Sequence, residues 1–175
     1  MVSAASLGAC SSPANQKFVR TYSMGDKVQV GHLIYNVFDS KWLTQIGSGV
    51  NARVPANRFF LVRLSIVNSG SQESNVPALS ITDDAGQTYG ELSNGEGVAQ
   101  WMGYLRRVKP AESLMGYIVF DAPPRHYKLN LSEELDDNKA VVDIPLTFSQ
   151  EAPFEQALPL PVRPTDQVPP VPVKK

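Results

Sequence analysis

Two histidines and one cysteine are the side chains of this 175-residue chain best suited to acid–base or nucleophilic chemistry near neutral pH. His32 and His126 lie far apart in the sequence, at no paired-ligand spacing and beside no Gly-x-Ser-x-Gly turn. A single cysteine cannot form an internal disulfide or a thiolate zinc site. We therefore expect structural roles for both histidines, no catalytic residues and no cofactor.

Carboxylates suggest two other kinds of chemistry. The oxygen ligands that calcium prefers are present in three short stretches: Asp83-Asp84, Glu133-Glu134 and residues 136–138. The Asp-x-Asx-x-Asx-Gly spacing of a calcium loop is missing, and Asp84-Ala85-Gly86 is typical of a hairpin turn, so we predict no metal site. Four further carboxylates are candidates for the pair that a glycosidase uses, at separations the sequence leaves open: Asp39, Glu91, Glu112 and Asp121.

Residues 92–108 have the composition of a binding loop. A glycine-rich stretch, Asn94–Gly97, leads into two aromatic and two basic side chains: Trp101, Tyr104, Arg106 and Arg107. Aromatic residues beside arginines, on a loop held by a rigid scaffold, are typical of interfaces. These four residues are the candidate binding surface for a protein or glycan. The alternative is that Trp101 and Tyr104 cover an open end of the core while the arginines face water.

The cysteine lies in a short motif near the N-terminus. Leu7-Gly8-Ala9-Cys10 resembles the lipobox of bacterial lipoproteins, and the resemblance implies that Cys10 is acylated. Ser11–Lys17 would then be the spacer between the membrane and the domain. The nine residues before Cys10 lack the basic start and the apolar stretch of a complete signal peptide. A soluble cytoplasmic interaction domain with an unmodified cysteine is therefore the alternative.

The elements that must position these residues are strands, because apolar residues alternate with a period of two. Arg58–Asn68 is the clearest case, and Ser113–Asp121, apolar on both parities, is expected to be a central strand. Leu131–Lys139 is predicted to form at most a short helix. Pro145 is predicted to lie on an edge strand or at a bulge. The other predicted strands are Lys27–Val30, His32–Leu43, Ala78–Asp83, Gln87–Gly90, Tyr104–Val108, Arg125–Leu131 and Ala140–Ser149.

Turn residues at short, regular intervals connect these runs, as in an antiparallel sandwich. The sequence predicts an all-β domain of about 7–9 strands over residues 18–150, and a small barrel fits the same spacing. Residues 1–17 are predicted to be a disordered leader and spacer. Residues 151–175 form a tail that holds half of the fourteen prolines and favours extended polyproline II structure.

Five segments resemble a family of bacterial extracellular immunoglobulin-like domains of unknown function: Ser23–Val28, Phe59–Gly70, Asp83–Tyr89, Pro110–Ser113 and Gly116–Pro123. Members of this family are often lipoproteins and are akin to a mycobacterial secreted immunoprotective antigen. The resemblance spans about residues 22–148 and implies an immunoglobulin-like β-sandwich outside the cytoplasm. The family has no agreed catalytic residues to carry over to this chain.

Charge and composition restrict the partners. Sixteen basic and seventeen acidic residues leave a net charge of −1, which argues against binding to nucleic acid. The chain has no run of about 18 apolar residues, so a lipid on Cys10 is the membrane link that the sequence suggests. We predict a non-catalytic binding or assembly module of the cell envelope. The alternative from another class is a secreted metal-dependent or hydrolase-accessory protein.

Overall fold

The computed structural model describes residues 19–134 and 136–147, and these residues form eleven strands and a short 3₁₀ turn at Gly49–Asn51. Cys10, the predicted leader and the predicted tail lie outside the described residues. Within the described part of the chain, no helix is long and apolar enough to cross a membrane. The strands are β1 (Arg20–Ser23), β2 (Lys27–Val30), β3 (Leu33–Leu43), β4 (Arg58–Asn68), β5 (Ser74–Val76), β6 (Ser80–Asp83), β7 (Thr88–Gly90), β8 (Arg106–Val108), β9 (Ser113–Ala122), β10 (Tyr127–Glu133) and β11 (Asp136–Ile144).

Two sheets pack face to face, which confirms the predicted β-sandwich. One sheet has the order β1-β11-β10-β6-β7 and the other the order β2-β3-β4-β9, while β5 and β8 form a separate two-stranded ribbon. All neighbours in the two sheets are antiparallel except β1 and β11, which pair in parallel. The parallel pair was not predicted, because the four residues of β1 have no alternating apolar pattern of their own.

The core lies between the inward faces of the two sheets. Phe60, in the middle of β4, stacks on Trp42 with ring centroids 4.2 Å apart and packs against Tyr127 of the opposite sheet at 5.7 Å. Tyr35 is fully buried, and its hydroxyl donates a 2.7 Å hydrogen bond to the carbonyl oxygen of Ser132 across the sandwich. Burying each such side chain contributes about 1.5–3 kcal/mol, so these contacts hold the sheets together.

A second apolar cluster covers part of the outer face of the four-stranded sheet. Phe59 and Leu61 of β4 join Ile46 and Val119 there, and all four are buried. Residues 91–103 fold back over this half of the face, whereas Arg63, further along the strand, is partly exposed. This cover explains why the outward-facing residues of β4 are apolar at the start of the strand and polar further along it.

The predicted central position of β9 is wrong. This strand lies at the edge of its sheet beside β4. Its other edge is closed by the chain before it, because Leu92 N–H donates to the Val119 carbonyl oxygen at 2.8 Å and Tyr117 N–H to the Gln100 carbonyl oxygen at 2.8 Å. A loop therefore provides the cover that the apolar sequence of β9 requires.

Two further expectations are corrected by the structure. The predicted short helix at Leu131–Lys139 is instead the hairpin between β10 and β11, because Leu131 pairs with Ala140 and Ser132 with Lys139. Pro145 lies beyond the end of β11 rather than inside it. The strands β1 and β5 were not predicted, because neither contains alternating apolar residues.

Candidate binding surface

Arg106 and Glu91 form an ion pair inside the protein. Their side chains are 1% and 0% exposed, and the guanidinium Nη2 contacts Glu91 Oε1. Arg106 Nε also donates a 2.7 Å hydrogen bond to the Gly103 carbonyl oxygen, and Glu91 Oε2 accepts one from Leu79 N–H at 3.1 Å. The predicted surface position of Arg106 is therefore wrong, because this arginine ties the loop before β8 to the core.

The electrostatics of this pair are those of charges removed from water. Burial raises the pKa of Glu91, and the adjacent Arg106 guanidinium opposes part of that rise. Arg106 Nη1 is buried and has no hydrogen-bond partner among the described residues. Removing either charge alone would leave the other uncompensated, so the pair works as a unit.

Trp101 belongs to the second apolar cluster rather than to an open surface. It packs beside Val98 and Tyr117 over the buried residues of that cluster. The ring lies against Gly95, where an added Cβ would come within 2.4 Å of the indole. The glycine-rich stretch thus makes room for the tryptophan, in line with the alternative in which Trp101 covers apolar residues.

Tyr104 and Arg107 lie on an open groove, and so does Leu105, which the sequence analysis did not single out. The groove, called here the Leu105 groove, has a volume of about 380 Å³ and is lined by residues 75–78 and 104–107 together with Glu134. Leu105 is 93% exposed although it directly precedes the buried Arg106. The Arg107 side chain is 74% exposed and approaches the Glu73 carboxylate at 3.7 Å. Alternation along β8 explains the arrangement, since Leu105 and Arg107 flank an inward-facing Arg106.

An acidic pocket of about 590 Å³ continues from the groove at the same end of the sandwich. It is lined by residues 70–75 with His32, Glu133 and Glu134, so Asn75 and Glu134 belong to both depressions. Asn75 Nδ2 donates a 2.7 Å hydrogen bond to Glu134 Oε2. Glu133 is buried and accepts a 2.7 Å hydrogen bond from His32 N–H. The groove is thus apolar at Leu105 and acidic beyond Glu134.

His126 lies between two carboxylates at the opposite end of β10. Its Nδ1 is 2.9 Å from Asp84 Oδ1, and its Nε2 is 2.8 Å from Asp143 Oδ1. Partial burial acts to lower the pKa of His126, but the hydrogen bonds to Asp84 and Asp143 outweigh it and raise the pKa above its ordinary value of 6.5. With both ring nitrogens engaged, His126 acts as a cross-link between the β6–β7 turn and β11.

We expect His126→Gln to cost more stability at pH 5.5 than at pH 8.5, with a difference of about 1 kcal/mol or less because the side chain is partly exposed. The raised pKa means that the histidine's contribution is fully present below pH 6.5 and is lost as the pH rises through the folded-state value. Urea unfolding of both proteins at both pH values measures it. An equal cost at the two pH values would contradict the charged cross-link.

The remaining carboxylate candidates have separate structural partners. Asp83 Oδ1 accepts hydrogen bonds from Ala85 and Gln87 N–H, which closes the β6–β7 turn. Among the described residues, no group of three or more His, Cys, Asp or Glu side chains could hold a metal ion. The proposed glycosidase carboxylates are each engaged elsewhere: Asp39 by Arg63, Glu91 by Arg106, Glu112 by Lys109 N–H, and Asp121 by Ala56 and Asn57 N–H.

Two sheets packed face to face, with almost all neighbouring strands antiparallel, define an immunoglobulin-like β-sandwich domain. The chain belongs to the family described as "Domain of unknown function (DUF4352)", which matches residues 22–141. This match and the structures described next confirm the family resemblance noted from the sequence. Among curated proteins, no sequence matches this chain.

Three solved structures illustrate the similarity of fold. The yjhA protein from Bacillus subtilis is 13% identical, with 70% of this chain and 98% of that chain covered and a TM-score of 0.52. The secreted protein MPT63 from Mycobacterium tuberculosis is 16% identical, with 73% and 98% covered and a TM-score of 0.53. A Bacillus subtilis protein described as a lipoprotein, ycdA, is 14% identical, with 71% and 39% covered and a TM-score of 0.55.

Proposed function

We propose that this protein is a non-catalytic binding module of the bacterial cell envelope and that the Leu105 groove is its binding surface. Similarity to a secreted protein and to a protein described as a lipoprotein supports a location outside the cytoplasm. The lipobox-like sequence ending at Cys10 supports a lipid anchor. The separate structural partners of the candidate carboxylates favour binding over catalysis.

The observation that carries the proposal is the exposure of Leu105 on a rigidly held backbone. The side chain is 93% exposed, while the next residue is fixed in the core by its ion pair with Glu91. A backbone that is already held in place lowers the conformational entropy lost when a partner covers Leu105, because only the side chain has to become ordered on binding. Tyr104 and Arg107 beside it belong to residue types that are enriched at interfaces.

A photo-reactive amino acid in place of Leu105 tests this assignment in cells of the natural host. Val50 is the matched control, because it is fully exposed on the β3–β4 loop and lies outside the groove. We expect light-dependent cross-linked products from position 105 and few or none from position 50. Equal yields from the two positions would contradict a dedicated surface at Leu105.

The anchor at Cys10 is tested by mass and fractionation. We expect the natural chain in the membrane fraction to begin at Cys10 and to carry acyl mass, and Cys10→Ser to appear unacylated in the soluble fraction. Stable anchoring needs more than one acyl chain, and all of them would be attached through Cys10. We therefore expect nearly all of the Cys10→Ser protein to leave the membrane fraction. An unmodified chain that retains the residues before Cys10 in the soluble fraction would contradict the anchor.

A further inference from the structure

The Leu105 groove combines features that suit one particular ligand, a proline-rich extended segment with a basic side chain. It offers apolar contacts at Tyr104 and Leu105 and the carboxylate of Glu134 at the boundary with the acidic pocket. Aromatic-lined grooves recognise such segments because polyproline II is already extended before binding. We propose that the groove binds this chain's own segment Leu158–Asp166. This inference rests on the proposed binding role of the groove.

The order of residues in the segment matches an apolar groove with a charged border. Its sequence is Leu-Pro-Leu-Pro-Val-Arg-Pro-Thr-Asp. Polyproline II has three residues per turn, so Leu158, Pro161 and Pro164 share one edge in that conformation. Arg163 and Asp166 share another edge. One edge of the segment is thus wholly apolar, and a neighbouring edge carries one basic and one acidic group.

The charges of groove and segment are complementary. Glu134 is exposed between the groove and the acidic pocket, where it can pair with Arg163. Arg107 is 74% exposed and only loosely paired with Glu73 at 3.7 Å, which leaves it available to Asp166. Each exposed pair adds little affinity alone, but together the two pairs set the direction in which the segment lies.

The connecting chain is long enough for the segment to reach the groove. The strand β11 ends at Ile144, which pairs with Tyr127, whereas the groove lies at the Glu134 end of β10. The seven residues of β10 span about 23 Å. Residues 148–157 can cover roughly 33–36 Å when extended. The effective concentration of a segment tethered in this way is about millimolar, so a site with a dissociation constant of about 1 mM would be half occupied and would stay open to partners that bind more tightly.

Disulfide trapping in the full-length chain tests the proposal. Cys10→Ser removes the natural cysteine, and Leu158→Cys, on the apolar edge of the segment, is then combined with either Leu105→Cys or Val50→Cys. Val50 is a stringent control, because the β3–β4 loop ends at Arg58, which pairs with Ala122 at the end of the sandwich where β11 stops. A tail that stays in solution would therefore reach Val50 at least as readily as Leu105. We expect an intrachain 105–158 disulfide to form about tenfold faster than a 50–158 disulfide.

A charge reversal checks that the contact is specific. Arg163→Glu should slow 105–158 trapping by up to about fivefold, and adding Glu134→Lys should restore it. Trapping at 105 no faster than at 50 would overturn the inference, and so would 105–158 disulfides that join two chains instead of closing one. If the photo-reactive group at Leu105 still labels other envelope proteins in that case, the proposed function stands. If that labelling is absent as well, both proposals fail.

Discussion

We expect Arg106→Met to lower the free energy of unfolding by about 3–5 kcal/mol at pH 8. Methionine fills much of the space of arginine, but it leaves the Glu91 carboxylate, which is 0% exposed, without its counter-charge. It also removes the donor to the Gly103 carbonyl oxygen. Urea unfolding of the natural protein and the variant measures the loss.

The pH dependence separates this electrostatic cost from a simple loss of packing. Burial already raises the pKa of Glu91, and losing Arg106 removes the group that opposes the rise. Because its folded-state pKa is raised, Glu91 makes its full contribution to stability below the ordinary glutamate value of 4.5 and loses it as the pH rises through the folded-state value. The cost of Arg106→Met should therefore be smaller at pH 5 than at pH 8.

Arg107→Met is the matched control for this prediction. Arg107 is the next residue along β8, but its side chain is 74% exposed and its ion pair with Glu73 is long. We expect a cost within about 0.5 kcal/mol and little dependence on pH. Equal costs for the two substitutions would show that the Arg106–Glu91 pair does not anchor the loop.

Gly116→Ala is expected to destabilise the protein by about 1–3 kcal/mol, as for other overpacking substitutions. A Cβ at Gly116 would lie 2.2 Å from the Gln100 carbonyl oxygen. That backbone cannot move freely, because Gln100 accepts a hydrogen bond from Tyr117 N–H and Met102 N–H donates one to the Tyr117 carbonyl oxygen. The clash therefore separates residues 100–102 from β9.

Gly90→Ala provides the control at another strand glycine. Nothing lies within 4 Å of a Cβ at this position, so the change is expected to be neutral to within about 0.5 kcal/mol. Thermal or urea unfolding compares the two variants. A cost for Gly116→Ala no larger than that for Gly90→Ala would contradict the close approach of residues 100–102 to β9.

The two stability predictions concern the scaffold beneath the proposed binding surface. Arg106 fixes the backbone after Leu105, and the contacts around Gly116 fix the chain before Tyr104. Binding at the Leu105 groove is therefore expected to depend on these two sets of contacts. A variant that loosens either anchor is expected to weaken binding at the groove in proportion to the unfolding of the loop.

Much of the fold could be predicted because long strands repeat their pattern. Arg58–Asn68 has the predicted bounds, since one face of this strand meets the core. Lys27–Val30 has only four residues, but it also has the predicted bounds because Val28 and Val30 alternate with polar residues. Short strands such as Ser74–Val76 escaped prediction because three residues show no period. The hairpin at residues 131–140 was misjudged because Glu133 and Glu134 also suit the first turn of a helix.

The candidate surface was only partly predictable for a physical reason. The residue types in 92–108 indicated an interface. The sequence alone does not show whether an arginine forms a buried ion pair with a carboxylate from another segment. The sequence by itself determined the all-β class, the alternating core and the glycines that admit Trp101. Only the tertiary structure placed Glu91 opposite Arg106 and left Leu105 exposed, because pairing between distant segments depends on how the two sheets and the ribbon pack.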